Sequence, residues 1–235
     1  MQEFGDAFAL AFALIAGLDP DLAEIVGLSL GVSLTATALA CLVGLPLGAA
    51  LAIGRFPGRG AAIVAVNALM GLPPVVVGLA IYMLLSRAGP LGVLGLLYTP
   101  TAMIAAQTVL ILPILAALSR QVLEALHREY AETFRSLCLS RTQTVGALLW
   151  DGRFALLTVA LAGFGRAIAE VGAVIVVGGN IDHLTRVMTT AIALETSKGD
   201  LALALALGLV LLAIALAVNA AVLSIREQRT EPAHA

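Results

Sequence analysis

The 235 residues are 60% hydrophobic and 12% charged, with a mean hydropathy of +1.03 and a formal net charge of −2. Water-soluble domains carry about a quarter charged residues, so this chain could not cover a water-facing surface and falls outside the ordinary globular classes. Two cysteines, Cys41 in an apolar run and Cys138 in a polar one, supply neither a disulfide framework nor a metal spacing.

The first 54 residues hold five acids (Glu3, Asp6, Asp19, Asp21, Glu24) and no Lys or Arg, unlike the basic start of a secretory signal peptide. Residues 7–18 are apolar but too short to cross a bilayer. They read as an interfacial or half-inserted helix, with a degenerate sixth span as the alternative. Asp19-Pro20-Asp21 starts the next element. Residues 1–24 are therefore expected to be an external or interfacial segment, ahead of a membrane domain over 25–226 and a cytoplasmic tail over 227–235.

Four stretches, 25–54, 60–86, 88–119 and 201–225, lack Asp, Glu, Lys and Arg. Each exceeds the roughly 20 residues that a membrane-spanning helix needs. A fifth, 154–181, is interrupted only by Arg166 and Glu170. The expected fold is an all-α integral membrane protein of about five transmembrane helices, near 26–54, 61–86, 99–119, 154–178 and 201–225. The first span carries two GxxxG spacings, Gly27/Gly31 and Gly44/Gly48, which let helix backbones approach closely. Pro46, Pro73-Pro74 and Pro113 lie inside apolar runs, where each removes a backbone donor. The double proline in GLPPVVVG reads as a helix break, a device transporters place at their pathways; Pro46 and Pro113 read equally well as kinks.

Alternating spans place Arg55, Arg59, Arg120, Arg128, Arg135, Arg141, Arg153, Arg226 and Arg229 on one side, nine of the 13 basic residues. The opposite side keeps Arg87, Arg186 and Lys198. The positive-inside rule makes the nine-arginine side cytoplasmic, with the N-terminus outside and the C-terminus cytoplasmic. Between the third and fourth spans, residues 120–153 hold apolar positions at spacings of three and four (Leu123, Leu126, Tyr130; Leu137, Leu139, Val145, Leu148). That pattern predicts short helices offering a docking surface, not a flexible linker.

Arg166 and Glu170 are four apart and can partner each other on one face of the fourth span. An ionisable group in hydrocarbon faces the bundle interior. The pair either locks packing or gates a path, its arginine compensating an anion's charge. Gln107, Asn180 and Thr189 offer hydrogen bonds to an oxyanion without requiring it to lose a proton, and Asn219 reads as a helix–helix contact. His183 reads as an exposed loop residue with no companions. There is no GxxxxGK[ST] loop, no dinucleotide fingerprint, no Ser/His/Asp set and no metal cluster, so the subunit is expected to have no catalytic chemistry of its own.

Glu129–Arg153, EYAETFRSLCLSRTQTVGALLWDGR, resembles the EAA loop of binding-protein-dependent ABC permeases: Glu-Ala-Ala, three residues, Gly, then a further helix. Starting at Glu129 puts Arg135 at the glycine position; starting at Glu132, the preferred register, puts Cys138 there. Trp150-Asp151 replaces the usual Leu-Pro. GLPLGAALA (44–52), GLPPVVVGL (71–79), GPLG (89–92), YTPTAMIAAQ (98–107), LAGFGRAIAEVGAVIVVGGNI (161–181) and TTAIALETSKGDLALALALGL (189–209) are similar to oxyanion permeases, closest to the tungstate branch of the molybdate/tungstate importers.

The resemblance implies a homodimer in a prokaryote's cytoplasmic (inner) membrane, fed by an external substrate-binding protein. It implies docking to a separate ABC ATPase through Glu132, Thr133, Cys138, Arg141, Gly146 and Trp150. Pro73, Pro74, Gln107, Arg166, Glu170, Asn180 and Thr189 would line or gate the pathway. This subunit would need no cofactor, ATP and Mg belonging to the ATPase, and the cargo would be tungstate first, molybdate second. A stand-alone secondary transporter or channel is the competing class, suited by broken helices and an internal ion pair.

Overall fold

The computed structural model describes the backbone of residues 2–17 and 19–227, and the side chains of 8–17, 19–140 and 142–223. The expected tail beyond Glu227, with Arg229, lies outside the described residues, as does the side chain of Arg141. All regular structure among the described residues is helical: α1 (Gln2–Ala16), α2 (Pro20–Ile53), α3 (Arg59–Leu69), α4 (Pro74–Leu85), a 3-10 turn (Gly92–Leu94), α5 (Pro100–Glu129), α6 (Ala131–Ser136), α7 (Arg141–Asp151), α8 (Arg153–Ile168), α9 (Gly172–Gly178), α10 (Met188–Lys198) and α11 (Leu201–Glu227).

The first span begins earlier than expected, at Pro20, inside the segment set apart as 1–24. Asp19 caps it, its Oδ1 accepting from the amides of Asp21 and Leu22 at 3.1 Å each, and Pro20 takes the first helical position, where no amide is missed. The helix then runs uninterrupted through Pro46, as α5 does through Pro113. Only the double proline breaks a helix. Pro73 is held extended (φ −64, ψ 124), because the ring of Pro74 crowds the residue before it out of the helical region. α3 and α4 are bent by 100° across that break.

Among the described residues, three helices are long and apolar enough to cross a membrane alone: Pro20–Ile53, Pro100–Glu129 and Leu201–Leu223. The count reaches five if each bent pair, α3 with α4 and Thr142–Asp151 with α8, is one span. Two further differences follow. α5 continues to Glu129, ten residues into the segment expected to be loop, because Arg120, Glu124 and Arg128 stack at i,i+4 and sustain the helix into the polar region. The expected fourth span is interrupted. α8 ends at Ile168 and α9 starts at Gly172, so α8 alone, 16 residues, is shorter than a full crossing.

The chain divides into two compact units. Unit 1 comprises residues 1–36, 73–107 and 165–218; unit 2 comprises 37–72, 108–164 and 219–235. In unit 2, the second GxxxG pair of α2 meets α5. A β-carbon at Gly48 would stand 2.7 Å from the Ala116 carbonyl and one at Gly44 3.1 Å from Leu115 Cβ, so only glycine permits this approach. Gly27 and Gly31 have open space instead. Ala49, Ala52, Leu123, Leu148 and Leu156 form a buried core on which Leu126, Tyr130, Phe134, Val145 and Leu149 pack, so most of the apolar stripe of 120–153 is satisfied inward, while Leu137 stays 63% exposed.

In unit 1, α4 and α9 pack together. A β-carbon at Gly78 would lie 2.8 Å from the Ala173 Cα. One at Gly172 would lie 2.9 Å from Val75 Cγ2, which sets the starts of the two short helices side by side. α10 is tied down by Ser29: its hydroxyl accepts from the Met188 amide at 2.8 Å and donates to the Ile25 carbonyl at 2.6 Å.

Candidate functional site

A helix broken at membrane depth leaves amides and carbonyls that lipid cannot satisfy. At residues 167–173 three of the expected pathway residues supply the satisfying groups, and a fourth, Arg166, pairs with one of them. Gln107 Nε2 donates to the Ala167 carbonyl at 3.0 Å, and the Thr189 hydroxyl donates to the Glu170 carbonyl at 2.8 Å. The Glu170 carboxylate accepts from the Ala173 amide at 3.2 Å through Oε1 and pairs with the Arg166 guanidinium through Oε2. Glu170 lies just past the end of α8, not within a continuous span, yet the i,i+4 pairing holds because only one turn separates the two.

The pair is asymmetric. The Glu170 side chain is 4% exposed while that of Arg166 is 39% exposed. The carboxylate is consumed in capping α9 and pairing; the guanidinium keeps part of its donor fork open. An anion reaching this place meets donors before it meets negative charge. Gln107 Oε1 is buried without a hydrogen-bond partner.

Pro73 and Pro74 stand at the neighbouring start of α4, so the double-proline break and the 169–171 break occur together. Asn180 is placed elsewhere, at the far end of α9. It adopts a left-handed φ of 51, and its Nδ2 donates to the Thr190 carbonyl at 3.4 Å. Its Oδ1 is buried without a partner. The structure thus gathers Pro73, Pro74, Gln107, Arg166, Glu170 and Thr189, and sets Asn180 apart.

His183 is not companionless. Its Nδ1 is 2.9 Å from Glu24 Oε2, with Asp182 on its other side at 4.0 Å. The hydrogen bond to Glu24 and the nearby carboxylates of Glu24, Asp182 and Asp21 raise its pKa above the ordinary value, against slight desolvation.

In unit 2, α6 and α7 form the two short helices expected of 120–153. Glu132 and Thr133 are exposed on α6, and Cys138 adopts a left-handed φ of 52 between the helices. Arg135 is helical. The register starting at Glu132 therefore aligns the glycine position with the one residue of this turn whose backbone favours glycine. Ser140 caps α7 reciprocally with Gln143, a pairing legible in Ser-x-x-Gln. Arg141 opens α7 and Gly146 lies exposed midway along it.

Trp150 is 72% exposed, with the Arg153 guanidinium 4.6 Å above its ring. Sequence reasoning missed the ties that hold this loop. Tyr130 donates to Asp151 Oδ2 at 3.0 Å, Glu124 gathers Arg59, Arg120 and Arg128, and Arg59 also donates to the Leu51 carbonyl at 2.7 Å. The spacing of Arg120, Glu124 and Arg128 was the available signal; the reach of Arg59 carried none.

An all-helical bundle with broken spans, a polar cluster at the breaks and a braced polar loop defines a polytopic membrane permease. Residues 44–227 match the family of binding-protein-dependent transport system inner membrane components, and the chain belongs to that family. It is 40% identical over 228 residues to the tungstate uptake system permease protein TupB of Peptoclostridium acidaminophilum, covering 97% of this chain and all of the relative. It is 39% identical over 212 residues to a probable anion ABC transporter permease protein of Haloferax volcanii, covering 88% of this chain and 91% of that one. A TupB of Campylobacter jejuni is 43% identical over 137 residues, covering 58% and 57% of the two chains.

Proposed function

We propose that this chain is the membrane permease of an ATP-driven tungstate importer. The observation that carries the reading is the break at 169–171, closed by Gln107, Thr189 and Glu170 with the Arg166 fork left partly open beside the start of α4. Broken helices lining a polar path suit a transporter, and an exposed guanidinium beside a shielded carboxylate suits an anion. The cargo is assigned from the two tungstate permeases it is similar to.

Two copies of the chain enclose one path, an external binding protein delivers the anion, and a separate ATPase docks on Glu132, Thr133, Cys138, Arg141, Gly146 and Trp150. The nine-arginine side is cytoplasmic. No cofactor acts in this subunit, because ATP and Mg are handled by the ATPase. The rigid α6–α7 loop, braced by Tyr130–Asp151 and the Glu124 cluster, passes the ATPase's movement to the helices.

The test is tungstate accumulation by cells carrying the complete transporter and lacking other uptake routes. Uptake that requires ATP and resists excess sulfate supports the reading. Preferential uptake of molybdate would reassign the cargo, and uptake without the ATPase would reassign the chain to the secondary transporters.

A further inference from the structure

A second polar feature lies outside the broken-helix cluster, in the segment between α4 and α5. Tyr82, Leu85, Ser86, Arg87, Gly92 and Tyr98 line an open cavity of about 660 Å³. The segment is built, not slack. Gly89 donates to the Ser86 carbonyl at 2.8 Å, Leu91 to Leu84 at 3.0 Å and the Thr99 hydroxyl to Leu96 at 2.6 Å. A β-carbon at Gly92 would sit 2.2 Å from the Ser86 carbonyl, so the turn presenting Arg87 is closed as tightly as backbone allows.

Charge singles out Arg87. Unit 1 contains nine acidic and four basic residues. Arg166 faces Glu170, Arg186 faces Asp182 at 2.7 Å and Lys198 faces Glu195 at 2.9 Å. Among the described residues of unit 1, Arg87 is the one cation without a carboxylate partner. The other three cations of the unit are each paired with a carboxylate, so Arg87 alone presents an unneutralised positive charge among its described residues.

Tyr98 supplies the second argument. It holds a left-handed φ of 62, costly for a residue with a β-carbon, although glycine occupies the similar conformation at Gly95. Its amide donates to the Val177 carbonyl at 3.0 Å, and its ring lies where a β-carbon on Gly179 would come within 2.9 Å. The strain sets the ring beside Tyr82, edge to face at a centroid distance of 6.4 Å. The neighbouring Tyr82 phenol, aided by desolvation, pushes the Tyr98 hydroxyl above its ordinary pKa. Both rings line the cavity, and each phenol carries one O–H that can donate to an external acceptor.

We propose that Arg87, Tyr82 and Tyr98 form an outer reception site for a tetrahedral oxyanion, bound with part of its hydration shell. Resting on the permease reading above, this site takes the anion as the binding protein releases it. Its attachment to the end of α9 through Tyr98 joins it to the element that begins at the Arg166–Glu170 break.

The test is the initial rate of tungstate uptake by the complete transporter in proteoliposomes, below saturation. Arg87→Gln lowers the rate about 5–10-fold at low ionic strength, Arg87→Lys keeps at least half of it, and the deficit shrinks in roughly 0.5 M salt. Tyr98→Phe lowers it about two-fold. Wild-type rates in Arg87→Gln, or equal loss in Arg87→Lys, overturn the site and leave the permease reading standing. An Arg87→Gln loss matched by equally weakened binding-protein affinity assigns Arg87 to protein docking and also overturns it. A wild-type complex that takes up no tungstate overturns both.

Discussion

The two units solve opposite problems. Unit 2 holds nine of the 13 basic residues, a continuous apolar core and a glycine-mediated approach of α2 to α5; its surface loop is braced by ion pairs and capped helices. Unit 1 holds nine of the 15 acids and two helix starts at breaks, and its stability depends on side chains that close freed backbone groups. The chain passes between the units inside α2, α5, α8 and α11, and at the double proline. One chain thus joins a cationic, closely packed half to an acidic half with a broken helix, and the proposed docking and pathway roles fall on different halves.

That contrast can be broken at either half. Glu132→Lys is exposed and outside the core, so the fold should survive. We expect uptake to fall about tenfold or more and the ATPase to leave the membrane, as charge reversal at an interface does. Retention of both would remove the docking role from unit 2. In unit 1, Thr189→Val leaves the Glu170 carbonyl without its donor. The buried, unsatisfied group should cost about 1–3 kcal/mol, read as a lower thermal midpoint of the purified protein. An unchanged midpoint would mean the break does not depend on that bond.

Glycine substitutions sharpen the comparison further. Gly48→Ala forces a methyl against the Ala116 carbonyl and should destabilise by about 1–3 kcal/mol, whereas Gly31→Ala, with open space around it, should be neutral or better. Equal effects would refute the close approach in unit 2. The smallest effect is at His183. Its raised pKa means that the stability from its contact with Glu24 is fully present below the ordinary value of about 6.5, and is lost as pH rises through the folded value. The groups facing it are Glu24, Asp21, Asp182 and Arg186. His183→Gln should flatten that slope in a pH series of thermal midpoints; an unaltered slope would assign it elsewhere.

Much of this architecture was legible from residue chemistry. Charge-free runs located the membrane segments, the double proline located a break, and Asp19-Pro20 marked a helix start. What was hidden depended on tertiary partners. α10 falls in the stretch 179–200, which lies between the expected spans, and its first turn is held by Ser29 of α2. The break at 169–171 contains no proline, and small apolar residues continue on both sides of it. Only the convergence of Gln107, Thr189 and the Ala173 amide on that stretch shows where the helix stops. Arg59 reaches Glu124 across 65 positions of sequence, a distance that no periodicity encodes.

The two residues of the Arg166–Glu170 pair are not interchangeable, because Glu170 also accepts from the Ala173 amide. Exchanging the two residues would place an arginine at 170, which cannot accept from the Ala173 amide, so loss of transport would report loss of the α9 cap. The double neutral variant Arg166→Gln/Glu170→Gln keeps side-chain length, removes both charges and retains an acceptor for that amide. ATP-dependent tungstate uptake by this variant, assembled at wild-type level with its ATPase, tests most directly whether the broken-helix cluster is the anion path. We predict a fall of about tenfold or more with assembly intact, because the exposed guanidinium is what offsets the anion's charge. Wild-type uptake would contradict the account and leave the pair as packing alone.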